Sequence, residues 1–467
     1  MIDRLNPILS INYNGYSTIE SPQNIVDSPY PYAHNFNWKQ SLSQTTSRLS
    51  HYASFAILSG SMSRGNTSKR VCVYDTSVLR VQNIVAGEDF IVCLSHGGHC
   101  FITLSEDDPR FENWRSGMGL ESDNPDQFQL IQKTLEDPIE QVFGHTYCVL
   151  LTRKGDVYVY TEKDGWNGKI DRNEYFDGEK IIHVGLGNEH ALFVSESGKV
   201  FGYGSNSSTQ LACLDRWYSE LKFVRIDVSH ISDKICKAYA TYNTSFLLTE
   251  TGALYACGDS TYAANGLTSL GSPYQCHKFT QVPISEKVED VSPGLFFVAV
   301  KTVDNKYYVF GYNNFSQFGK TSTLYEKIDG PHLLDSFSPF SNIDRIECGG
   351  YNSIIVTKDK KVFIAGWAID SPFYPRVSDK YNLLDLDSLL RECTRGHISL
   401  NNNTSLRATM GRYFSVIFTI PNSKFTRNFK RSHILCDISI ITHSFSSPEN
   451  DNQFIPSFMI DPTSFFE

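Results

Sequence analysis

Apolar residues in this chain come in short runs closed by turn residues, and the runs recur in one order. The segment "IIHVGLGNEHALFVSESGKVFGYGSNSSTQL", residues 181–211, shows the unit: a β-branched run, a small residue at Gly187, a second apolar run, a turn at Gly198, a third run and a glycine-rich exit. With Gly187 as anchor, the same environment recurs in "IVAGEDFIVCLS" around Gly87, "QVFGHTYCVLLT" around Gly144, "AYATYNTSFLLT" around Thr241, "VSPGLFFVAVK" around Pro293, "IECGGYNSIIVT" around Gly349 and "ATMGRYFSVIFT" around Gly411. Eleven residues beyond the anchors stand Gly98, Gly155, Gly198, Gly252, Asp304, Lys360 and Asn422, mostly turn formers. A strand followed by a tight hairpin demands a residue tolerant of positive φ at one fixed offset, so the pattern predicts a hairpin in each unit.

The runs "CVLLT" and "SIIVT" are apolar on consecutive residues, which predicts strands covered on both faces. A lone hairpin of this kind is unstable in water. Seven such sheets stacked around an axis bury both faces and leave only short edges, so the fold class expected is an all-β, seven-bladed propeller. Beyond Asn422 the last unit fades, and the missing outer strands are found at the other end in "FAILSGSMSRGN", Phe55 to Asn66. The first and last parts of the chain are therefore expected to share one blade and close the ring. The domain reading is a polar extension over 1–50, the propeller over 51–425, and a tail over 426–467 whose "RSHILCDISIITHS" is a docked strand or a remnant. Leucines 383, 384, 386, 389 and 390 in "YNLLDLDSLLREC" predict a helical face packed between the last two blades.

The segments "GNEHALFVSESGKVFGYGSNSSTQL", "ETGALYACGDSTYAANGL" and "YVFGYNNFSQFGK" carry the specific likeness: the chain resembles the regulator of chromosome condensation repeat family, over roughly residues 50–425. The resemblance implies a seven-bladed propeller that binds protein partners through loops on one face. It also implies a second reading, guanine-nucleotide exchange on a Ran-like or Rab-like small GTPase, and by repeat alignment points to Glu88, Asp89, Glu189 and His190 as residues that would face the GTPase. Exchange needs no covalent catalyst, only tighter binding of the nucleotide-free form.

The residues after each anchor come together on one face of such a disc, which adds His145 and Asn188 to the candidate partner-binding set. His190 has the competing reading of a residue that braces its own blade. The inserted loop "SEDDPRFENWRSGMGL", residues 105–120, offers Asp107, Asp108, Phe111 and Trp114 as a protruding tip with an aromatic anchor; the alternative is a loop whose Phe and Trp tuck onto the outer strand.

Composition narrows the classes. Among 467 residues, 42 Lys and Arg face 51 Asp and Glu, a net charge of -9, so there is no overall pull toward phosphate backbones. The basic cluster Lys424, Arg427, Lys430 and Arg431 reads as a solvated strand, and nucleic acid is not an expected partner. Eleven dispersed cysteines without a CxxC or CxxH pair argue against structural zinc and for reduced thiols. No nucleotide-loop, zinc-protease or serine-elbow motif is present, so neither a cofactor nor a catalytic residue is expected. The opening "MIDRLNPILSINYNGY" and the lack of a long apolar run lead us to expect a monomeric intracellular chain, cytoplasmic or nuclear, without a membrane span.

Overall fold

The structure is a computed structural model that describes residues 55–60, 70–76, 81–104, 112–120, 128–131, 137–161, 167–214, 222–268, 275–319, 327–334, 342–367, 381–394, 400, 404–411 and 414–421, with short strands at 4–5, 9–12 and 459–460. Seven antiparallel sheets are formed. The inner strands, in chain order, are Val81–Ala86, Ile139–Gly144, Ile181–Leu186, Ile235–Ala240, Val288–Pro293, Ile343–Cys348 and Thr404–Met410. Each touches the next around the ring, and Thr404–Met410 returns to Val81–Ala86, so the ring is closed. The architecture is a seven-bladed β-propeller.

The second strand of each blade explains why the apolar runs do not alternate. Phe90–Ser95, His190–Ser195 and Thr244–Thr249 are buried at every residue, because each is flanked by sheets on both sides. Phe90, Ile102, Leu150 and Tyr160 fill the space between the first and second blades, and Phe193, Phe201 and Phe176 that between the second and third.

The seventh blade is assembled from both chain ends. Phe55–Gly60 pairs with Phe414–Pro421, setting Leu58 opposite Val416 and Ala56 opposite Phe418, and Arg70–Asp75 pairs on the outside. Short strands extend three sheets: Arg4–Leu5 on the first, Leu9–Asn12 on the seventh and Met459–Ile460 on the sixth. The tail stretch 431–444 lies outside the described residues.

The hairpin offset holds, with one shift. Gly98, Gly155, Gly198, Gly252 and Lys360 all have positive φ, but in the fifth blade it is Asn305, at φ 60, and not Asp304. The anchor there is Gly294, whose amide bonds to Phe297 O as Gly187 does to His190 O. A proline cannot donate that bond. The leucine-rich stretch also differs from the single helix expected: Asn382–Leu384 is the fourth strand of the sixth blade, and only Leu386–Thr394 is helical. Its N-terminus is capped by Asp385, which accepts from Ser388 N at 3.0 Å. Leu386, Leu389 and Leu390 pack between the sixth and seventh blades with Ile57, Ile364 and Ile417.

Candidate functional site

The turns between inner and second strands lie on one face of the disc and are bonded to one another. Glu88 N donates to His145 O at 2.8 Å, Thr146 Oγ1 to Asn188 O at 2.8 Å, Asn188 N to Tyr242 O at 3.4 Å, Tyr242 N to Leu295 O at 2.9 Å, and Leu295 N to Gly349 O at 3.0 Å. This belt runs from the first blade to the sixth. Its closeness explains the small anchors. A Cβ at Gly187 would stand 2.6 Å from Thr241 O in the next blade, and one at Gly411 would stand 2.6 Å from Gly87 O across the closure. The second blade departs from the rule. There His145 N bonds to Tyr147 O, so the turn is one residue shorter than the Gly187 to His190 turn.

The exit after each third strand is fastened to the same turns. Ser205 N donates to Glu189 O at 2.8 Å, Asp259 N to Asn243 O at 3.0 Å and Tyr312 N to Phe296 O at 2.9 Å. Anchor turn and exit loop thus make one stiff rim in the third, fourth and fifth blades.

The residues singled out from the sequence divide. Asn188 and Glu189 are half-buried on this rim, as is His145. Glu88 and Asp89 belong to the same turns but are covered, at 7% and 2% exposure, so they do not present open carboxylates. His190 is fully buried. Its Nε2 lies 2.9 Å from Ser245 Oγ, whose hydroxyl donates to Gln210 O at 2.6 Å, so Nε2 carries the proton. Burial, aided by nearby His145, pushes the imidazole down to about 3, and the ring is neutral. Phe90, Phe297 and Phe414 fill the matching place under their own anchor glycines. His190 is therefore a brace, and its assignment as a surface contact is corrected.

Trp114 is corrected in the same way. It lies in the helix Glu112–Met118, is 0% exposed, and packs edge-on against Phe90 with ring centroids 5.2 Å apart and near Tyr160 at 6.3 Å. The spacing of Trp114 and Met118 puts both on the inward helix face. The insertion plugs the outer gap between the first two blades. Asp107, Asp108 and Phe111 lie outside the described residues, as does the basic cluster of Lys424, Arg427, Lys430 and Arg431.

What sequence reasoning missed is an arc of aromatic rings on the rim of the fourth to sixth blades. Tyr242 meets Phe296 at 5.1 Å, Phe296 meets Tyr262 at 4.7 Å and Tyr351 at 6.4 Å, and Tyr262 meets Tyr312 at 5.3 Å. Phe315 joins Tyr312 at 5.9 Å, Tyr351 at 5.2 Å and Trp367 at 5.3 Å. None of these rings is fully buried, and Tyr262 is 40% exposed. Tyr242 and Tyr351 were visible as anchor-turn residues; their meeting with rings from the exit loops was not.

The axial channel is a second feature, a cavity of about 590 Å³ lined by the inner strands. Lys237 Nζ lies 3.1 Å from Asp290 Oδ1, and the Tyr239 hydroxyl donates to that same oxygen. Ser292 Oγ bonds to Glu347 at 3.4 Å, and Arg345 approaches it at 3.8 Å. Glu347 is half-buried within the channel, its side chain keeping about 30% exposure. That burial, with Asp290 nearby and Arg345 opposing, pushes its carboxyl up to about 7. Among the described residues no group of three or more His, Cys, Asp and Glu side chains could hold a metal, and no helix is long and apolar enough to cross a membrane.

Comparison with known proteins agrees with this geometry. Residues 181–210 match the model of the regulator of chromosome condensation repeat. The chain is 25% identical over 244 residues to a probable E3 ubiquitin-protein ligase, HERC6, of Homo sapiens, covering 49% of this chain and 23% of that protein. It is likewise 25% identical over 234 residues to the ultraviolet-B receptor of Arabidopsis thaliana, covering 48% of this chain and 51% of the receptor. The chain thus spans about half or less of the length of these relatives. Among solved structures, Prp20p of Saccharomyces cerevisiae, studied for its binding to Gsp1p and histones, superposes with a TM-score of 0.61 at 13% identity, over 81% of this chain and 95% of that one.

Proposed function

We propose that this chain, whose residues 181–210 match the regulator of chromosome condensation repeat and whose fold is that of Prp20p, is a non-enzymatic interaction propeller that binds a protein partner through the turn face. The observation that carries this reading is the aromatic arc. Contiguous, partly exposed rings on a rigid rim are what energetic centres of protein interfaces are made of. The belt of main-chain bonds supports it, because a surface already stiff before binding loses little freedom on association. Eight described cysteines are free thiols, consistent with action in a reducing, intracellular compartment.

The test is affinity capture from cell extract, with the unaltered protein compared with Phe296→Asp and with an outer-surface control, Lys234→Asp. The reading requires the captured partner to be lost with Phe296→Asp and kept with the control. Retention of the partner by Phe296→Asp would overturn it.

A second reading, nucleotide exchange on a small GTPase, draws support from half-exposed Glu189 on this face and from the binding of Gsp1p by Prp20p, whose fold this chain shares. It requires faster release of labelled nucleotide from a purified GTPase in the presence of the protein, with Glu189→Ala slowing that release. Covered Glu88 and Asp89 and neutral His190 leave this reading with fewer open side chains than the sequence suggested.

A further inference from the structure

We propose that the aromatic arc receives arginine side chains from an extended basic segment of a protein partner, with guanidinium planes laid on the rings. This rests on the turn face being the interaction surface and names the chemistry it selects. The first argument is that the fold does not need the rings. In the third blade, Ser205 and Ser208 occupy the places held by Tyr312 and Phe315 in the fifth, with the same fastening of exit loop to anchor turn: Ser205 N to Glu189 O at 2.8 Å, Tyr312 N to Phe296 O at 2.9 Å. The loops also share a left-handed residue one place further on, Thr209 at φ 61 and Ser316 at φ 60. Ser and Tyr or Phe hold the same backbone, so the rings answer to something other than folding.

The second argument is charge. The described residues of the anchor turns and exit loops include Glu88, Asp89, Glu189 and Asp259 and no Lys or Arg. Glu189 and Asp259, the part-exposed carboxylates of the turns and exits beside the arc, lend it a negative field that draws cations and repels anions. An apolar partner would gain nothing from it. The third argument is geometry. Phe315 and Trp367 stack at 19°, whereas Tyr262 stands at 72° to Tyr312 and Phe315 at 70° to Tyr351, so the arc presents ring faces in several directions. Planar guanidinium groups stack on such faces and are more weakly hydrated than ammonium groups, which favours arginine over lysine.

The experiment is fluorescence anisotropy of a labelled short peptide of alternating arginine and glycine titrated with the full chain. Matched peptides carry lysine, or citrulline, which keeps the shape of arginine without its charge. Saturable binding of the arginine peptide is expected, weaker for lysine and lost for citrulline. Replacing Tyr262 and Trp367 together by alanine should weaken binding by about tenfold, the effect of two lost cation–ring contacts. Should that variant melt, Tyr262→Ser, at the most exposed ring, carries the comparison. No saturable arginine binding, equal binding of citrulline, or unchanged affinity in the ring variants would overturn the proposal. Loss of partner capture with Phe296→Asp in the same protein that ignores the arginine peptide would sink this inference while leaving the interaction face standing. Capture that survives Phe296→Asp would remove the face itself.

Discussion

The amide of Phe55 donates to Thr419 Oγ1 at 3.0 Å, a buried bond between residues 364 positions apart. It begins the ladder in which Ile57 meets Ile417 and Ser59 meets Ser415, so the ring is shut by strands from opposite ends of the chain. Thr419→Val should leave the Phe55 amide unsatisfied at a cost of about 1–3 kcal/mol, and Ile57→Ala should cost about 2–5 kcal/mol. Urea unfolding monitored by far-ultraviolet circular dichroism checks both. A midpoint unmoved by Ile57→Ala would contradict the shared blade.

His190 sets an acid limit. Its folded value, about 3, lies below the ordinary 6.5, so the unfolded chain takes up the proton first. The stability held by the neutral ring is complete above pH 6.5 and is lost as the pH falls toward 3, by up to about 1.4 kcal/mol per pH unit. Since phenylalanine fills the matching place in three blades, His190→Phe should fold and lose this pH dependence. Parallel stability curves for the two proteins from pH 7 to pH 4 would refute the assignment.

Glu347 works in the opposite sense. Its carboxyl is raised from 4.5 to about 7, so folding is penalised by ionisation as the pH rises from 4.5 through 7. Glu347→Gln is expected to match the parent near pH 4 and to exceed it by about 1–2 kcal/mol at pH 8, the range set by a shift of this kind. Thermal unfolding at the two pH values decides; a loss of stability at pH 8 would show that the contact with Arg345 outweighs burial.

Trp114 separates a plug from a contact. Trp114→Ala should destabilise the chain by about 3–5 kcal/mol through the cavity left against Phe90 and Tyr160. At temperatures where the variant is folded, partner capture should be unchanged. Loss of capture in a folded variant would restore the insertion as a binding element.

The number of blades, the hairpin offset and the closure were legible because each rests on local chemistry: β-branched runs, a residue tolerant of positive φ, a missing strand pair. Pro293 and Gly294 are adjacent small residues, and choosing between them needs the hydrogen bond only Gly294 can make. Asn382–Leu384 is ambiguous in sequence, because consecutive leucines suit a covered strand and a helix face equally. Trp114 stays open to two readings in sequence because the polar insertion has only Phe111 beside it as an aromatic and no apolar periodicity beyond the pairing of Trp114 with Met118. The aromatic arc was illegible as a unit, since its rings are scattered from Tyr242 to Trp367 and meet only when three blades are placed side by side. Burial of Glu88 and Asp89 is likewise a matter of neighbours distant in sequence.

Closure by both ends also sets an order of events during synthesis. The strand Phe55–Gly60 leaves the ribosome early, but its inner partner Phe414–Pro421 is made hundreds of residues later. At roughly 5–20 residues per second, the wait is about twenty to seventy seconds. For that time the strand carrying Phe55, Ile57 and Leu58 has only its outer mate, Arg70–Asp75, and its inner edge stays open to pairing between newborn copies on one messenger. The way this wheel is joined therefore leaves one edge of an apolar strand uncovered until Phe414–Pro421 has been made.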